Sequence, residues 1–179
     1  MSLYHIVFLF LIAGALAEHI KKKTPKVLFV SAYVILTLML CLRFGQGTDY
    51  FNYASIYRFL PADPIAAMDA SNHSEPGWKF ICATFKMLGA SYPVFIFILS
   101  LGLMLLFLRF LSRFGGNRKL LLLVLFYHTL YLSYFMSILR QGLVIAVFLG
   151  VLLPWLLERK YVRYCMLSVL LITIHTVSA

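Results

Sequence analysis

SYPVFIFILSLGLMLLFLRFL, residues 91–111, establishes the class of this protein. It carries a single charge, Arg109, and is about as long as the roughly 20 apolar residues with which an α-helix crosses a bilayer. The whole 179-residue chain is similar, with 63% hydrophobic and 12% charged residues, against about 45–50% and about 25% in soluble domains. We therefore predict a helical integral membrane protein, and the hydrophobicity excludes a disordered chain.

Five other apolar runs lie on either side of this stretch. They predict an all-α, polytopic fold in a single membrane domain, residues 1–179. The six predicted transmembrane helices are residues 3–17, 27–42, 91–111, 120–138, 143–157 and 161–179. The break between the fourth and fifth spans has the weakest signal, because residues 133–141 contain no glycine or proline.

One extended polar segment, the outer loop at residues 43–90, separates the second span from the third. Within it, residues 78–88 are amphipathic, and we predict a helix that lies at the outer membrane interface. The apolar side chains that can share one face of it are Phe80, Ile81, Phe85 and Leu88. Lys79 and Lys86 lie outside that face. The alternative is a seventh span, although residues 79–89 fall short of the about 17 residues that a span needs.

The basic residues predict the orientation of the spans. If the lysine-rich loop at 21–26 is cytoplasmic, alternation of the six spans places eleven of the 16 lysines and arginines on the inner side. The other five lie on the outer side, which is the bias that the positive-inside rule describes. We predict a multi-pass protein with its N-terminus outside. The net charge of +10 is thereby explained without a nucleic-acid partner.

The cysteines give little indication of chemistry. Cys41, Cys82 and Cys165 are too few and too scattered for a disulfide framework or a metal site. We expect the three cysteines to be small apolar residues in or near the spans. We expect the protein to bind neither a metal nor a cofactor.

Charged residues on the predicted outer side are candidates for a functional site. Two closely spaced glycines follow Arg43, so the backbone there can approach a ligand closely. The side chains of Arg43, Thr48 and Asp49 could then contact the same ligand. The alternative for Arg43 is a snorkelling arginine followed by a glycine turn. The alternative for Asp49 is a cap of a helix at residues 50–59. Arg140 interrupts a long apolar stretch, where a charge is costly, and Gln141 stands beside it. A purely topological role is the alternative for Arg140.

Alternation of the spans brings five charged or ionisable residues to the same side. They are Arg43, Asp49, Glu75, Arg140 and His175. Arginine binds phosphate oxygens bidentately, and a carboxylate or a neutral histidine can accept a hydroxyl proton. The set suits an anionic lipid-linked group, above all a diphosphate. For His175 alone, an interfacial side chain at the end of a span is the alternative.

Four short motifs occur in this part of the chain. They are RFGQGTDYFNY (43–53), EPGW (75–78), LRQGL (139–143) and IHTVSA (174–179). In type and order they resemble motifs of EpsG-type proteins, which belong to the Wzy-like bacterial polysaccharide polymerases. The resemblance covers residues 27–179, and its first motif is the most specific. Two departures are Val144, where alanine is commoner, and one extra residue in the last motif before Ser178.

The resemblance implies glycosyl transfer at the outer face of the bacterial inner membrane, from undecaprenyl diphosphate onto another lipid-linked repeat unit. Cations must stabilise the departing diphosphate, and a base must activate the acceptor hydroxyl. The implied substrate-binding residues are Arg43, Thr48, Tyr50, Arg140 and Gln141, with both arginines on the diphosphate. The implied candidates for the base are Asp49, Glu75 and His175.

The resemblance also implies partners. These are an undecaprenyl-diphosphate-linked oligosaccharide, membrane lipid, a chain-length regulator and a flippase, with no cofactor. Family members are longer and have more spans, so the chain is expected to be the N-terminal half of a polymerase. The alternative function is a non-catalytic membrane component that binds or moves a lipid-linked sugar. Transporters place charges near the midplane on repeated, broken helices, whereas the charges here gather at one end.

Overall fold

The computed structural model describes residues 2–71 and 74–175, and every regular element in that part of the chain is a helix. The helices are α1 (Leu3–Lys21), α2 (Lys26–Cys41), α3 (Tyr50–Phe59), α4 (Pro64–Met68), α5 (Pro76–Met87), α6 (Tyr92–Phe114), α7 (Lys119–Phe126), π1 (Tyr127–Phe135), α8 (Leu139–Val147), π2 (Phe148–Leu152), α9 (Leu153–Leu157) and α10 (Tyr161–Ile172). The π-helix π1 continues α7, and α8 runs through π2 into α9. The predicted all-α class is confirmed.

Within residues 2–71 and 74–175, three helices are long and apolar enough to cross a membrane, namely α1, α6 and the continuous helix Leu139–Leu157. Shorter apolar helices occupy the other three predicted spans, at Lys26–Cys41, Lys119–Phe135 and Tyr161–Ile172. These helices support a membrane protein, while the count of six spans stays a prediction. The predicted sixth span continues past Ile172, where α10 ends, and residues 176–179 lie outside the described residues.

The chain turns between the fourth and fifth predicted spans at residues 136–138, earlier than predicted. Residues 139–142, expected in the connection, form the first turn of α8, so Arg140 and Gln141 begin a helix rather than end one. Gly142 allows the close turn, because a Cβ there would lie 2.9 Å from the Tyr134 carbonyl oxygen. The break therefore depends on backbone packing, which the local sequence did not reveal.

The long helices form a bundle with two chemically different ends. The basic end carries the connections at residues 22–25, 115–118 and 158–160. There Arg113 pairs with Glu158 at 2.5 Å, and Lys160 pairs with the other oxygen of that carboxylate at 2.5 Å. These two cations lower the pKa of Glu158 to about 2. The opposite end, called the motif end below, carries the connections at residues 42–49 and 136–138 and the start of α5.

Helix α5 has the predicted amphipathic pattern, and Ile81 and Phe85 of the predicted apolar face pack on the core, but the rest of its buried face differs. Phe80 and Leu88, assigned to the apolar face, are 45% and 74% exposed. Trp78 and Cys82 face the protein instead and are 0% and 2% exposed. The helix thus packs on the bundle through the side that holds Trp78, and its location at a membrane interface stays a prediction.

The two lysines of α5 bind the C-terminal ends of neighbouring helices, which was not expected. Lys79 Nζ donates to the Ala70 carbonyl at 2.6 Å, just beyond the end of α4. Lys86 Nζ donates to the carbonyls of Leu60 at 2.6 Å and Arg58 at 2.8 Å, at the end of α3. A cation is favourable at a helix C-terminus, where the last carbonyls lack partners. These contacts hold α3, α4 and α5 together within the outer loop.

Candidate active site

Three of the predicted site residues meet at the motif end. Arg140 Nη1 donates to Glu75 Oε2 in an ion pair, and His175 Nδ1 lies 3.3 Å from Glu75 Oε1. The side chains of His175, Glu75 and Arg140 are 11%, 13% and 19% exposed. Glu75 therefore bridges an arginine and a histidine in a sheltered site that solvent still reaches. We call these three residues the triad.

Glu75 and His175 are 100 positions apart in the chain, and a glycine contact brings them together. Glu75 is the N-cap of α5, and Pro76 takes the first helical position, where a missing N–H costs nothing. The Gly77 N–H donates to the Thr173 carbonyl at 2.8 Å. A Cβ on Gly77 would lie 2.8 Å from that oxygen and 2.4 Å from Thr173 Oγ1. Only glycine lets the start of α5 pack this closely on the residues before His175.

Arg43 is buried at the motif end, with 4% of its surface exposed. Its Nη1 donates to the carbonyl of Phe135 at 2.7 Å and to that of Met136, where π1 ends without intrahelical partners. Gly47 packs on the Met136 carbonyl with φ +95°. A Cβ added to Gly47 would lie only 2.1 Å from the Met136 oxygen, so no larger residue fits there. The first motif thus stabilises the break that precedes Arg140. The described hydrogen bonds of Arg43 go to the backbone, and the diphosphate contact that the resemblance implies for it stays a prediction.

A family model described as EpsG family matches residues 26–179, which is most of the chain. The chain belongs to the EpsG family. No curated protein and no solved structure matches it. The resemblance found in the four motifs is confirmed, and all four lie inside the matched residues.

The triad of this EpsG-family chain favours a neutral histidine. Burial lowers the pKa of His175, and the positive charge of Arg140 lowers it further. A carboxylate can only accept hydrogen bonds, so we assign the ring proton to Nδ1, facing Glu75. Nε2 is then an acceptor at neutral pH. Burial likewise lowers the pKa of the Arg43 guanidinium.

The other sequence-predicted residues lie in different environments. Thr48 is exposed, and Asp49 is half-buried at the N-cap of α3, where its side chain makes no capping hydrogen bond. Gln141 is half-buried beside Arg140. Tyr50 is 6% exposed and packs edge-on against Tyr92, with ring centroids 5.3 Å apart. The structure therefore gives Tyr50 a packing environment rather than an open binding position.

Tyr53 and Trp78 are site residues that the sequence reasoning missed. The Arg140 guanidinium lies over the Tyr53 ring, 5.8 Å from its centroid. The Tyr53 ring packs on the Trp78 ring, with the two centroids 5.5 Å apart. Arg140 Nε, Tyr53 Oη and Trp78 Nε1 are all buried without a hydrogen-bond partner among the described residues. The aromatic pair holds the arginine by a cation–π contact. The sequence did indicate these two residues, because Tyr53 ends the first motif and Trp78 ends the second.

Under the polymerase function proposed below, we expect Gly77→Ala to reduce polymer formation by at least about tenfold while the protein still inserts. The added Cβ must push α5 away from Thr173, at an overpacking cost of about 1–3 kcal/mol, and this separates Glu75 from His175. The measurement is the amount and length of polymer on a gel beside a blot of the membrane fraction. Gly102→Ala in α6 is the control, because nothing lies within 4 Å of its Cβ position. Full polymer from Gly77→Ala would contradict the close contact.

Proposed function

We propose that this protein joins lipid-linked oligosaccharide repeat units into a surface polysaccharide or exopolysaccharide. In the proposal, a glycan moves from undecaprenyl diphosphate onto a hydroxyl of a second unit, at the outer face of the bacterial inner membrane. The observation that carries it is the triad, in which Glu75 joins the Arg140 guanidinium to the His175 imidazole. Family membership supports the same chemistry at a coarser level.

The reaction needs a base and a cation, and the triad offers both. His175 Nε2 accepts the proton of the acceptor hydroxyl, whose oxygen forms the new bond to the anomeric carbon. The bond from that carbon to the diphosphate oxygen breaks, and its electron pair leaves with the diphosphate. Glu75 holds the imidazole through Nδ1–H, as an orienting carboxylate does in other base-assisted transfers. This assigns His175 as the base and Glu75 as its positioning residue.

Arg140 is the proposed diphosphate ligand. A guanidinium has five N–H donors in a fixed fork, and the described contacts engage only Nη1 through Glu75. The remaining donors can bind phosphate oxygens as negative charge develops on the leaving group. Arg43 acts behind it as a positioning residue, because its described hydrogen bonds hold the backbone at Phe135 and Met136.

The other implied contacts stay part of the proposal. In the proposal, Thr48 and Gln141 contact the glycan, and Asp49 is a second carboxylate near it. A chain-length regulator and a flippase are the proposed protein partners. Purified protein in lipid vesicles, supplied with one undecaprenyl-diphosphate-linked repeat unit, should produce a ladder of longer products. Binding of the substrate without any ladder would instead favour the non-catalytic alternative.

The proposed orientation predicts which cysteines an impermeant reagent reaches. Ser55 in α3 and Ser112 in α6 are both exposed and belong to opposite ends of the bundle. In intact cells we expect labelling of Ser55→Cys and protection of Ser112→Cys, because basic loops are retained inside. Each variant is also labelled in broken cells to show that its thiol reacts. The reverse pattern in intact cells would overturn the orientation.

A further inference from the structure

A groove of about 780 Å³ lies at the basic end, between α1 and the start of α7. This volume is within the about 300–1,000 Å³ of small-molecule sites. Its walls are apolar along the helices, at Ile12, Leu16 and Leu121, and its mouth carries Lys22 and Arg118. The groove therefore has the two parts that an amphiphile needs, an apolar channel and a charged opening. One wall, α1, lies outside the family match at residues 26–179.

The charge at the mouth favours an anion, although one carboxylate lines the groove. Glu18 is 3% exposed, and its oxygens accept from the N–H groups of Leu120 at 3.1 Å and Leu121 at 3.0 Å. Thr24 Oγ1 donates to it as well, at 2.5 Å. Glu18, which lies on α1, thus accepts hydrogen bonds from N–H groups in the first turn of α7 that have no partner within that helix. Lys22 and Arg118 remain exposed at the mouth.

We propose that this groove binds an anionic glycerophospholipid. Its phosphate lies between Lys22 and Arg118, and its acyl chains follow the apolar walls toward Ile12 and Leu121. The location agrees with the chemistry, because the groove runs along a helix long enough to span a membrane and opens at the end rich in basic residues. Basic openings between transmembrane helices suit anionic headgroups for this reason.

The test is lipid binding by the purified protein in detergent, measured by native mass spectrometry. Phosphatidylglycerol is titrated into the wild type, with phosphatidylcholine and inorganic phosphate as separate probes. We expect one tightly held phosphatidylglycerol, and about tenfold weaker binding in Lys22→Gln/Arg118→Gln, since each basic side chain near a headgroup contributes to affinity. Arg159→Gln/Arg163→Gln removes the same charge from exposed positions at the same end and should bind normally.

A steric variant tests the groove independently of charge. Ala15→Trp places a large ring among the lining residues, and it should reduce phosphatidylglycerol binding by about tenfold with all cations retained. Three results would overturn the proposal: unchanged binding in Lys22→Gln/Arg118→Gln, equal binding of phosphatidylcholine, or inorganic phosphate alone displacing the lipid. Each of these readouts is separate from polymer formation.

Discussion

Arg140→Lys is expected to abolish long polymer while the protein still inserts normally. Lysine keeps the charge but presents a point ammonium, which cannot form the planar fork that arginine offers to a diphosphate. It also leaves the cation–π contact with Tyr53 and the pair with Glu75 in altered geometry. Losing one such stabilising group costs about 10²–10³-fold in rate. Polymer length on a gel, beside a blot of the membrane fraction, measures the effect.

Two further variants separate chemistry from membrane anchoring. Arg140→Ala should be as inactive as Arg140→Lys, because the proposed role needs the guanidinium itself. Arg163→Lys makes the same change at an exposed position of the basic end and should leave polymer unchanged. A purely anchoring role makes the opposite prediction, since lysine snorkels as well as arginine. Polymer of normal length from Arg140→Lys, at a normal amount of protein, would therefore remove Arg140 from the site.

Glu75→Gln is expected to reduce the rate of polymerisation by at least about 10²-fold. The substitution preserves size but removes the carboxylate that orients His175 and pairs with Arg140. A base that loses its orienting carboxylate can lose as much as about 10⁴-fold. Glu158→Gln is the matched control, because Glu158 pairs with Arg113 and Lys160 at the opposite end of the bundle. The rate is measured with the purified protein and one lipid-linked repeat unit.

His175→Gln and the pH profile decide which residue is the base. Among the described residues, Glu75 pairs with the imidazole and Arg140 lies near it, and burial and Arg140 lower the pKa of His175. The wild-type rate should therefore persist below pH 6.5, near the ordinary pKa of histidine, and fall only when His175 becomes protonated. In Glu75→Gln the residual activity should fall at a still lower pH, because a neighbouring negative charge is gone. His175→Gln should lose this acidic limb together with most of the rate.

The reverse ranking would contradict this assignment. If Glu75 is the base, Glu75→Gln abolishes activity, whereas His175→Gln keeps most of it together with the acidic limb of the profile. Comparable membrane amounts of the two variants are required for the comparison. The order of the two rates therefore distinguishes a catalytic His175 from a catalytic Glu75.

Part of the candidate site could be predicted because membrane helices alternate in direction. Arg140 and Glu75 fall in connections that alternation places on one side, and the structure pairs them directly. The same rule placed Arg43 on that side, but it carries no information on depth. The residue is buried against the carbonyls of Phe135 and Met136. A count of spans predicts which end a residue reaches and leaves its partners undetermined.

The sequence by itself determined the class of the protein, its family motifs and the asymmetric distribution of its basic residues. Composition decides the class, because so many apolar side chains require a hydrocarbon solvent. The order of the residues decides the motifs and the charge distribution. Only the tertiary structure decided the break at residues 136–138, the buried face of α5 and the bridge from Glu75 to His175. Each of these depends on close packing between distant segments, as where Gly77 meets Thr173. Such contacts are set by backbone shape in three dimensions, and no local pattern of residues records them.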